Sequence, residues 1–276
     1  MPELPEVEAL AHHLREAAIY RPVARVDVAS MSVLKTFAPP VSALQGRVVT
    51  GAARYGKFLA VEFLDRPDDP LHLVTHLSRA GWLRWHEQAT AAPPKPGRGP
   101  LALRVHLDHV GGPGFDLTEA GTQKRLSCYL VADPQQVPGV ARLGPDALAL
   151  SRDELAELLA GRTERIKTLI VDQQVVAGIG NAYSDEVLHA ARLLPFRKRS
   201  SLAPEEVDAL YAATGTTLSA AVETLRRRVP PTFEKQVRDF LAVHDKGGTP
   251  CPRCGTKISE VKPGGFVTSF CRGCQR

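Results

Sequence analysis

Residues 172–188, DQQVVAGIGNAYSDEVL, separate two helical patterns by a turn that contains two glycines. These glycines, Gly178 and Gly180, permit positive φ angles and let backbone N–H groups come close to a ligand. Asn181 follows them and can cap the next helix, whose N-terminus favours an anion such as a phosphate oxygen. An ordinary corner between two helices with a glycine C-cap explains the same residues. The stretch therefore predicts two helices joined by a turn, and both interpretations of that turn stay open.

Helical periodicity extends to both sides of this turn. The segment SRDELAELLAG begins with Ser151, and Glu154 follows at the spacing of a capping box. RIKTLIVDQQVVAG and APEEVDALYAATGTTLSAAVETLRRR keep their apolar residues at a helical period. Residues 151–243 are therefore predicted to form a helical domain. Residues 133–150 have the Pro- and Gly-containing composition of a linker.

Residues 1–132 have a different pattern. VEALAHHLREAAI has the apolar spacing of a helix. The runs RVDVAS, KFLAVEFL, LHLVTHL, LALRVHLDHV and RLSCYLVA show the alternation or β-branched residues of strands. This order predicts an α+β protein in which an antiparallel β-sandwich or barrel carries an N-terminal helix. Cys128, inside the last run, is predicted to be a buried strand residue.

The last residues contain two CxxC pairs that stand 16 residues apart and account for four of the five cysteines: Cys251, Cys254, Cys271 and Cys274. Each pair lets one tight turn present two thiolates to the same ion, and two pairs complete the tetrahedron of a structural zinc. An iron–sulfur centre and a redox dithiol are the alternatives. Residues 244–276 are therefore predicted to be a zinc finger holding one structural Zn²⁺, with a β-hairpin that turns at residues 263–265. Metal binding would supply the folding energy of so small a module.

Length and charge restrict the classes of protein further. The 276 residues suit two domains and a small module, and a net charge of +5 with a pI near 9.0 suits a polyanionic partner. Basic clusters at 192–199 and 226–228 fit nucleic-acid binding and a solvated surface about equally. We see neither a signal peptide nor an apolar run near the roughly 20 residues that span a bilayer. We therefore expect a cytosolic protein with reduced thiols.

The N-terminal octet MPELPEVE admits two interpretations. In the first, Pro2 occupies the first turn of a helix, and Glu3 and Glu6 favour the positive end of its dipole. In the second, removal of Met1 turns the Pro2 ring nitrogen into a free secondary amine that can act as a nucleophile. Taken alone, the octet favours the first interpretation.

Six segments, taken in order along the chain, favour the second interpretation, in which Pro2 is a nucleophile. They are MPELPEVE, GKFLAVE around Lys57, THLSRAGWL at 75–83, LGPDAL at 143–148, the stretch at 172–188, and PCPRCG with FCRGCQ at the end. Together they resemble the formamidopyrimidine-DNA glycosylase and endonuclease VIII family of base-excision repair enzymes. The resemblance implies a β-sandwich catalytic domain, a helix-two-turn-helix domain and a zinc-finger hairpin that bind damaged double-stranded DNA, in a protein expected to be a monomer.

The resemblance also implies a bifunctional glycosylase and abasic-site lyase. The damaged nucleotide is flipped out of the stack, and the Pro2 amine attacks the sugar C1′, expels the base and forms a Schiff base. An α-amino group, with a pKa of roughly 7.7–8.0, has a reactive neutral fraction near neutral pH. Glu3 would protonate the sugar ring oxygen, and Glu6 would support the helix start or the proton network. β- and δ-elimination then cut the strand on both sides.

Other positions carry over as contacts to DNA. Lys57 matches the lysine of a β-hairpin that holds phosphates near the lesion, although a surface strand lysine is the simpler interpretation. Lys167 and Asn181 match phosphate contacts around the helix-two-turn-helix, in which Gly178 and Gly180 form the turn. Arg54 is less securely matched.

Three departures from the formamidopyrimidine branch concern recognition of the lesion. Arg79 stands near the methionine that fills the void left by the flipped base, and either insertion or a phosphate contact would suit it. GFDLTEAGTQKRL lacks the Asp-Pro-Arg-Arg-Phe-Gly pattern, so no wedge for the opposite cytosine can be assigned. Phe266 replaces the finger arginine and cannot make its charge-assisted phosphate contact, although Lys246 or Lys262 could substitute. These departures favour an endonuclease VIII-like branch. The alternative function is a non-catalytic DNA-binding protein on the same fold.

Overall fold

The computed structural model describes residues 1–95, 97, 99–120, 122–228 and 236–276. The chain divides into two compact units. Unit 1 comprises Met1–Ala141 and Thr224–Gln236, and unit 2 comprises Arg142–Glu223 and Val237–Arg276. Among the described helices, none combines the length and the apolar character needed to cross a membrane.

Unit 1 contains one long helix and two four-stranded sheets. Helix α1 covers Leu4–Ala17, and the strands are β1 (Val23–Val28), β2 (Val48–Tyr55), β3 (Phe58–Leu64), β4 (Pro70–His76), β5 (Gly81–His86), β6 (Leu101–Leu107), β7 (Gly114–Glu119) and β8 (Ser127–Val131). The strand orders are β1-β6-β7-β5 and β2-β3-β4-β8, with every pairing antiparallel. The predicted antiparallel β-sandwich with an N-terminal helix is confirmed. Cys128 lies fully buried on β8, as predicted.

Helix α1 forms because its sequence supplies both a cap and an apolar face. Glu3 occupies the N-cap, and its backbone N–H donates to Glu6 Oε2 at 2.9 Å. The apolar face is completely or almost completely buried and consists of Leu4, Val7, Leu10 and Leu14. The helix packs against β2 and β3, and Arg15 Nη1 donates to the Ala52 carbonyl oxygen at 2.7 Å. The sheet that carries β2 and β3 thereby fixes the position of the N-terminal octet.

The chain beyond β8 is mainly helical. Its helices are α2 (Pro138–Ala141), α3 (Arg152–Leu159), α4 (Ile166–Val171), α5 (Asn181–Ala190) and α6 (Pro204–Arg226). The segment predicted as a linker, 133–150, contains a 3-10 turn at Pro134–Gln136 and then α2. The predicted capping box of α3 is present, because Ser151 N–H donates to Glu154 Oε2 at 2.8 Å and Glu154 N–H donates to Ser151 Oγ at 3.2 Å.

The C-terminal residues form the predicted hairpin. Strand β9 (Ser259–Val261) pairs antiparallel with β10 (Thr268–Phe270), and a 3-10 turn at Pro263–Gly265 joins them. Its small buried cluster includes Val243, Ile258 and two of the cysteines. A cluster of this size is too small to stabilise a fold alone, which agrees with a module that depends on a metal.

Candidate active site and nucleic-acid interface

The N-terminal octet lies in the interior of unit 1 at the start of α1. Pro2 is buried, Glu3 is 2% exposed and Glu6 is 0% exposed, whereas Met1 is 38% exposed. The Glu6 carboxylate accepts two hydrogen bonds. Oε2 accepts the Glu3 N–H, and Oε1 accepts the side-chain amide of Gln236. The fold therefore brings the proline ring and two carboxyl groups together beneath an exposed methionine.

Gln236 contacts both ends of this N-terminal group. Its Nε2 donates to the Met1 carbonyl oxygen at 3.0 Å and to Glu6 Oε1 at 3.2 Å. No local pattern points to Gln236, since it stands more than two hundred positions away from the octet. The Met1 carbonyl is attached to the Pro2 nitrogen, so Gln236 marks the position at which a processed N-terminus would present its amine.

Lys57 lies in the two-residue turn between β2 and β3, where Tyr55 pairs with Phe58. Gly56, the other turn residue, has φ 54°, in the left-handed region that favours glycine. Lys57 is only 5% exposed, which is rare for a lysine without a functional or structural partner. The interpretation of Lys57 as a plain surface residue is wrong, because the hairpin turn directs it inward.

His76, at the end of β4, also belongs to this site. It lies within THLSRAGWL, but the sequence analysis assigned no role to it. Burial, together with the positive charges of Lys57 and of the N-terminal amino group, lowers the pKa of His76 to about 4. The imidazole is therefore neutral near pH 7 and can offer one donor and one acceptor. Its ring packs 4.8 Å from the ring of Phe58, the residue after Lys57. His76, Lys57 and the N-terminus thus form one electrostatic neighbourhood.

Arg79 lies in the turn between β4 and β5, and its side chain is exposed. Ser78, just before it, has φ 56°, and Gly81 N–H donates back to the Leu77 carbonyl oxygen at 2.9 Å. A Cβ atom at Gly81 would lie 2.0 Å from that oxygen, so the turn requires glycine there. The tight turn presents Arg79 on the surface of unit 1, a position compatible with either insertion into DNA or a phosphate contact.

In unit 2, the glycine turn is held together by the side chain of Gln173. Its Nε2 donates to the carbonyl oxygens of Val171 and Ile179 at 2.7 Å, and its Oε1 accepts the Gly178 N–H at 3.0 Å. Gly178 has φ 107°, which only glycine adopts without strain. The end of α4 is thereby fixed relative to the residue that precedes the start of α5.

The prediction that Asn181 caps α5 is wrong. Gly180 is the N-cap, and Asn181 is the first helical residue. Its side-chain amide instead donates to the Val267 carbonyl oxygen at 2.6 Å, just before β10. Asn181 therefore joins the glycine turn to the hairpin, and its preference for the capping position is overridden by this tertiary contact.

Lys167 on α4 belongs to the same connection. Its Nζ lies 2.5 Å from Asp185 Oδ1 on α5 and 3.0 Å from Thr268 Oγ1 on β10. Asp185 is buried and also accepts the Ser269 N–H at 3.0 Å. Nothing in the sequence singled out Asp185. The ion pair fixes the Lys167 ammonium group beside the first turns of α5.

Phe266 lies between the turn of the hairpin and β10, and 56% of it is exposed. The two lysines named as substitutes for a finger arginine are both exposed or half-buried, and Lys246 Nζ lies 3.3 Å from the Asp239 carbonyl oxygen. The finger therefore presents an apolar side chain to the surface at the position where the resemblance leads us to expect a cation.

The two CxxC pairs converge, and all four ligand atoms lie within 4.8 Å of one another: those of Cys251, Cys254, Cys271 and Cys274. Four thiols at this separation are the donor set of a closed tetrahedral metal site. Hydrogen bonds from Thr256 lower the pKa of Cys254 to about 6, whereas burial raises the pKa of Cys271 and raises that of Cys274 to about 12, a rise that a bound cation would oppose. The residues present therefore fit a metal ion.

His189, near the end of α5, lies against this cluster. Its Nε2 is 3.3 Å from Cys251 Sγ and 3.6 Å from Cys274 Sγ, and Arg253 Nη1 donates to the His189 carbonyl oxygen at 2.8 Å. An N–H group at this position can donate to a metal-bound thiolate. Sequence reasoning missed His189 because it is remote from the cysteines in the chain.

Comparison with known proteins agrees with this geometry. The family model for the formamidopyrimidine-DNA glycosylase N-terminal domain matches residues 1–124, and that for the formamidopyrimidine-DNA glycosylase H2TH domain matches residues 143–229. The formamidopyrimidine-DNA glycosylases of Moorella thermoacetica and Symbiobacterium thermophilum are each 35% identical, over 95% and 100% of this chain and 95% and 89% of their own. An uncharacterised formamidopyrimidine-DNA glycosylase-like protein of Mycobacterium tuberculosis is 44% identical over half of this chain and 87% of its own.

Solved structures are similar over the same extent. The Lactococcus lactis enzyme bound non-covalently to DNA that contains an AP site has a TM-score of 0.83 and 26% identity, with 99% of each chain covered. The same enzyme with FAPY-dG-containing DNA has a TM-score of 0.83 and 25% identity, with coverage of 99% and 100%. The two family models together span most of the chain, and the relatives from Moorella thermoacetica and Symbiobacterium thermophilum match 95% and 100% of it. The chain therefore belongs to the formamidopyrimidine-DNA glycosylase family.

Proposed function

We propose that this protein is a bifunctional DNA glycosylase and abasic-site lyase of base excision repair, acting on damaged double-stranded DNA. The observation that carries the proposal is the burial of Pro2, Glu3 and Glu6 at the start of α1, in the neighbourhood of Lys57 and His76. Helix capping alone accounts for Glu6, but it does not account for an interior lysine and a neutral histidine beside an N-terminal proline. Family membership supports the same chemistry.

The reaction begins after Met1 has been removed, since only then is the Pro2 nitrogen a secondary amine. Its lone pair forms a bond to the sugar C1′, the bond from C1′ to the base breaks, and the base leaves with the electron pair and takes up the proton that the Pro2 nitrogen loses. Glu3 protonates the ring oxygen as the ring opens, which leaves an iminium between Pro2 and C1′. The iminium acidifies the C2′ proton, and successive β- and δ-elimination expel the two phosphates.

The remaining predicted residues would hold the DNA backbone. Lys57 would bind phosphates near the lesion from unit 1, where Arg79 fills the void left by the flipped base or contacts the backbone. In unit 2 the glycine turn would contact phosphates through backbone N–H groups at the start of α5, as helix N-termini commonly bind anions. The residues of this contact would be Gly178, Gly180, Asn181 and Lys167. Contacts of Lys167 with Asp185 and Thr268 support this role by fixing the ammonium group in place.

We propose one structural zinc ion for the four cysteines. Cys251, Cys254, Cys271 and Cys274 would hold it, and it would supply folding energy to the hairpin and take no part in bond breaking. Reduced thiols at this site agree with a bacterial cytosolic or nucleoid location. We expect the protein to act as a monomer.

The lesion that is excised stays a prediction from the departures. Arg79 and the exposed Phe266 favour an endonuclease VIII-like preference for oxidised pyrimidines, ring-opened purines or abasic sites, although the relatives named above carry the formamidopyrimidine name. Excision rates on duplexes that carry each of these lesions test this point. A wide preference for 8-oxoguanine opposite cytosine would refute it.

Borohydride reduction tests the chemistry directly. Protein whose Met1 removal has been checked by mass spectrometry is mixed with duplex DNA containing one abasic site and then reduced. We expect a covalent protein–DNA complex, with strand cleavage in the unreduced sample. Pro2→Gly keeps an N-terminal amine but makes it a primary amine on a more flexible residue, so we expect the yield of the complex to fall by about tenfold or more.

The matched control uses one affinity tag at either end of the chain. An uncleaved tag before residue 1 blocks the Pro2 nitrogen, so trapping should disappear, whereas the same tag after Arg276 should leave it unchanged. Normal DNA affinity without trapping or cleavage by correctly processed protein would refute the catalytic proposal and favour a non-catalytic DNA-binding protein.

A further inference from the structure

Glu8, the last residue of the octet, forms ion pairs with three arginine side chains within unit 1. Its carboxylate oxygens lie 2.8 Å from Arg15 Nη2, 3.2 Å from Arg226 Nη2 and 3.4 Å from Arg54 Nε. Burial acts to raise the pKa of Glu8, but its hydrogen bonds and charge interactions with Arg15, Arg54 and Arg226 outweigh burial and hold the pKa below its usual value. Glu8 is therefore ionised at every pH at which the enzyme would act.

One of the three arginines continues toward the candidate active site. Arg54, on β2, has only 8% of its side chain exposed, and its Nη1 donates to the Gly56 carbonyl oxygen at 3.1 Å. That carbonyl belongs to the peptide bond that joins Gly56 to Lys57. A chain of two polar contacts therefore connects the carboxylate on α1 to the turn that presents Lys57.

The other two arginines have different attachments. Arg15 Nη1 donates to the Ala52 carbonyl oxygen in the middle of β2. Arg226 is 36% exposed, and within the described part of the chain it pairs with Glu8 and not with the turn between β2 and β3. Of the three, only Arg54 contacts the residue next to Lys57.

We propose that Glu8 is a positioning residue that, through Arg54, holds the Gly56–Lys57 turn at the orientation in which Lys57 binds phosphate. The inference rests on the proposed function, in which Lys57 contacts the DNA backbone. The same short segment of α1 thereby supplies the amine at Pro2 and orients the lysine of a different element. An ion pair between largely buried side chains is screened by salt much less than a surface pair, so the Glu8 carboxylate attracts Arg54 and restrains its orientation.

The experiment measures KM and kcat for cleavage of abasic-site DNA in four proteins: the wild type, Glu8→Gln, Lys57→Gln and the double variant. We expect Glu8→Gln to raise KM about tenfold, the size of effect that 1.4 kcal/mol produces, with kcat changed less than threefold. In the Lys57→Gln background, Glu8→Gln is expected to leave KM unchanged, because the residue through which it acts is already absent.

Two further variants separate positioning from stability. Arg54→Met should reproduce the rise in KM, whereas Arg15→Gln, which removes another ion pair of Glu8 without a contact to Gly56, should leave KM within about twofold. A Glu8→Gln effect that is equally large in both backgrounds would show a general structural role and refute the proposal. A rise in KM for Lys57→Gln without one for Glu8→Gln would refute this inference alone. Wild-type protein without cleavage, or an unchanged KM for Lys57→Gln, would instead count against the proposed function.

Discussion

His244 Nδ1 lies 2.8 Å from Asp185 Oδ2, and both side chains are almost completely buried. The other oxygen of the same carboxylate pairs with Lys167, and Oδ2 also accepts the Ser269 N–H. One carboxylate on α5 thus connects α4, the first residue of the finger segment and β10. Removing one partner from a buried ionic cluster leaves the others uncompensated, and this is far more destabilising than the loss of a surface pair.

We therefore expect Asp185→Asn to lower the free energy of unfolding of unit 2 by about 3–5 kcal/mol. The change should appear as faster hydrogen exchange in the backbone amides of 237–276. The matched control is Asp208→Asn, which removes an exposed ion pair with Arg152 and should change stability by about 1 kcal/mol or less. Equal effects of the two substitutions would contradict the structural role given to Asp185.

His76 predicts a pH dependence of stability. In the folded protein its pKa is about 4, through burial and the nearby charges of Lys57 and the N-terminal amino group, whereas an unfolded histidine has a pKa of roughly 6.5. The unfolded state therefore binds the proton more readily, and stability falls as the pH is lowered from about 6.5 to 4. The full difference amounts to about 3 kcal/mol.

The measurement is urea-induced unfolding between pH 7 and pH 4 for the wild type and His76→Gln. We expect the variant to lose less stability across this interval, because its side chain cannot take up the proton. His109→Gln, at an exposed position after β6, serves as the control and should follow the wild-type curve. Parallel curves for all three proteins would contradict the burial of a neutral imidazole beside Lys57.

The contact between His189 and the cysteines has a consequence for the proposed zinc site. Substitution by phenylalanine keeps an aromatic ring of similar size but removes the N–H group that faces Cys251 and Cys274. The loss of an outer hydrogen bond to metal ligands typically weakens binding by about 10- to 100-fold. We expect His189→Phe to release zinc at least about tenfold faster to a coloured chelator, whereas His12→Phe on α1 should match the wild type.

Substitution of Phe266 predicts a gain in DNA affinity. Phe266→Arg adds a cation at the exposed position between the hairpin turn and β10. If this surface faces phosphates, the dissociation constant for abasic-site DNA should fall about tenfold, and the slope of log affinity against log salt should steepen by about one. Val110→Arg adds the same charge at a site that is 92% exposed in unit 1 and should produce neither change. Equal effects of both substitutions would indicate attraction by net charge alone.

The predictions from sequence succeeded where the signal is local. The capping box at Ser151, the cysteine pairs and the strand that carries Cys128 each depend on residues a few positions apart, and local patterns record such spacing. The contact of Gln236 with Met1 joins residues more than two hundred positions apart, and no pattern of spacing could reveal it. The ion pair between Glu8 and Arg54 was missed as well, because the two residues stand on different elements, α1 and β2.

Asn181 illustrates a different failure. Its side chain has a strong intrinsic preference for the N-cap position, so a local argument assigns it there. The fold uses its amide for the Val267 carbonyl oxygen and leaves the N-cap to Gly180. A contact with a residue from another part of the chain outweighs a local preference that is worth only about 1 kcal/mol.

Asn181, Asp185 and His189 recur every four residues along α5, so they share one face of the helix, and each contacts a different part of the C-terminal module. The first is at the glycine turn, and the last is at the cysteines. Because one face of α5 contacts all three parts of the module, we expect the helix and the module to unfold together as one cooperative unit. Opening of the cysteine cluster would therefore also destabilise the glycine turn, two helical turns away. A finger excised without α5 would lose the contacts that orient its hairpin.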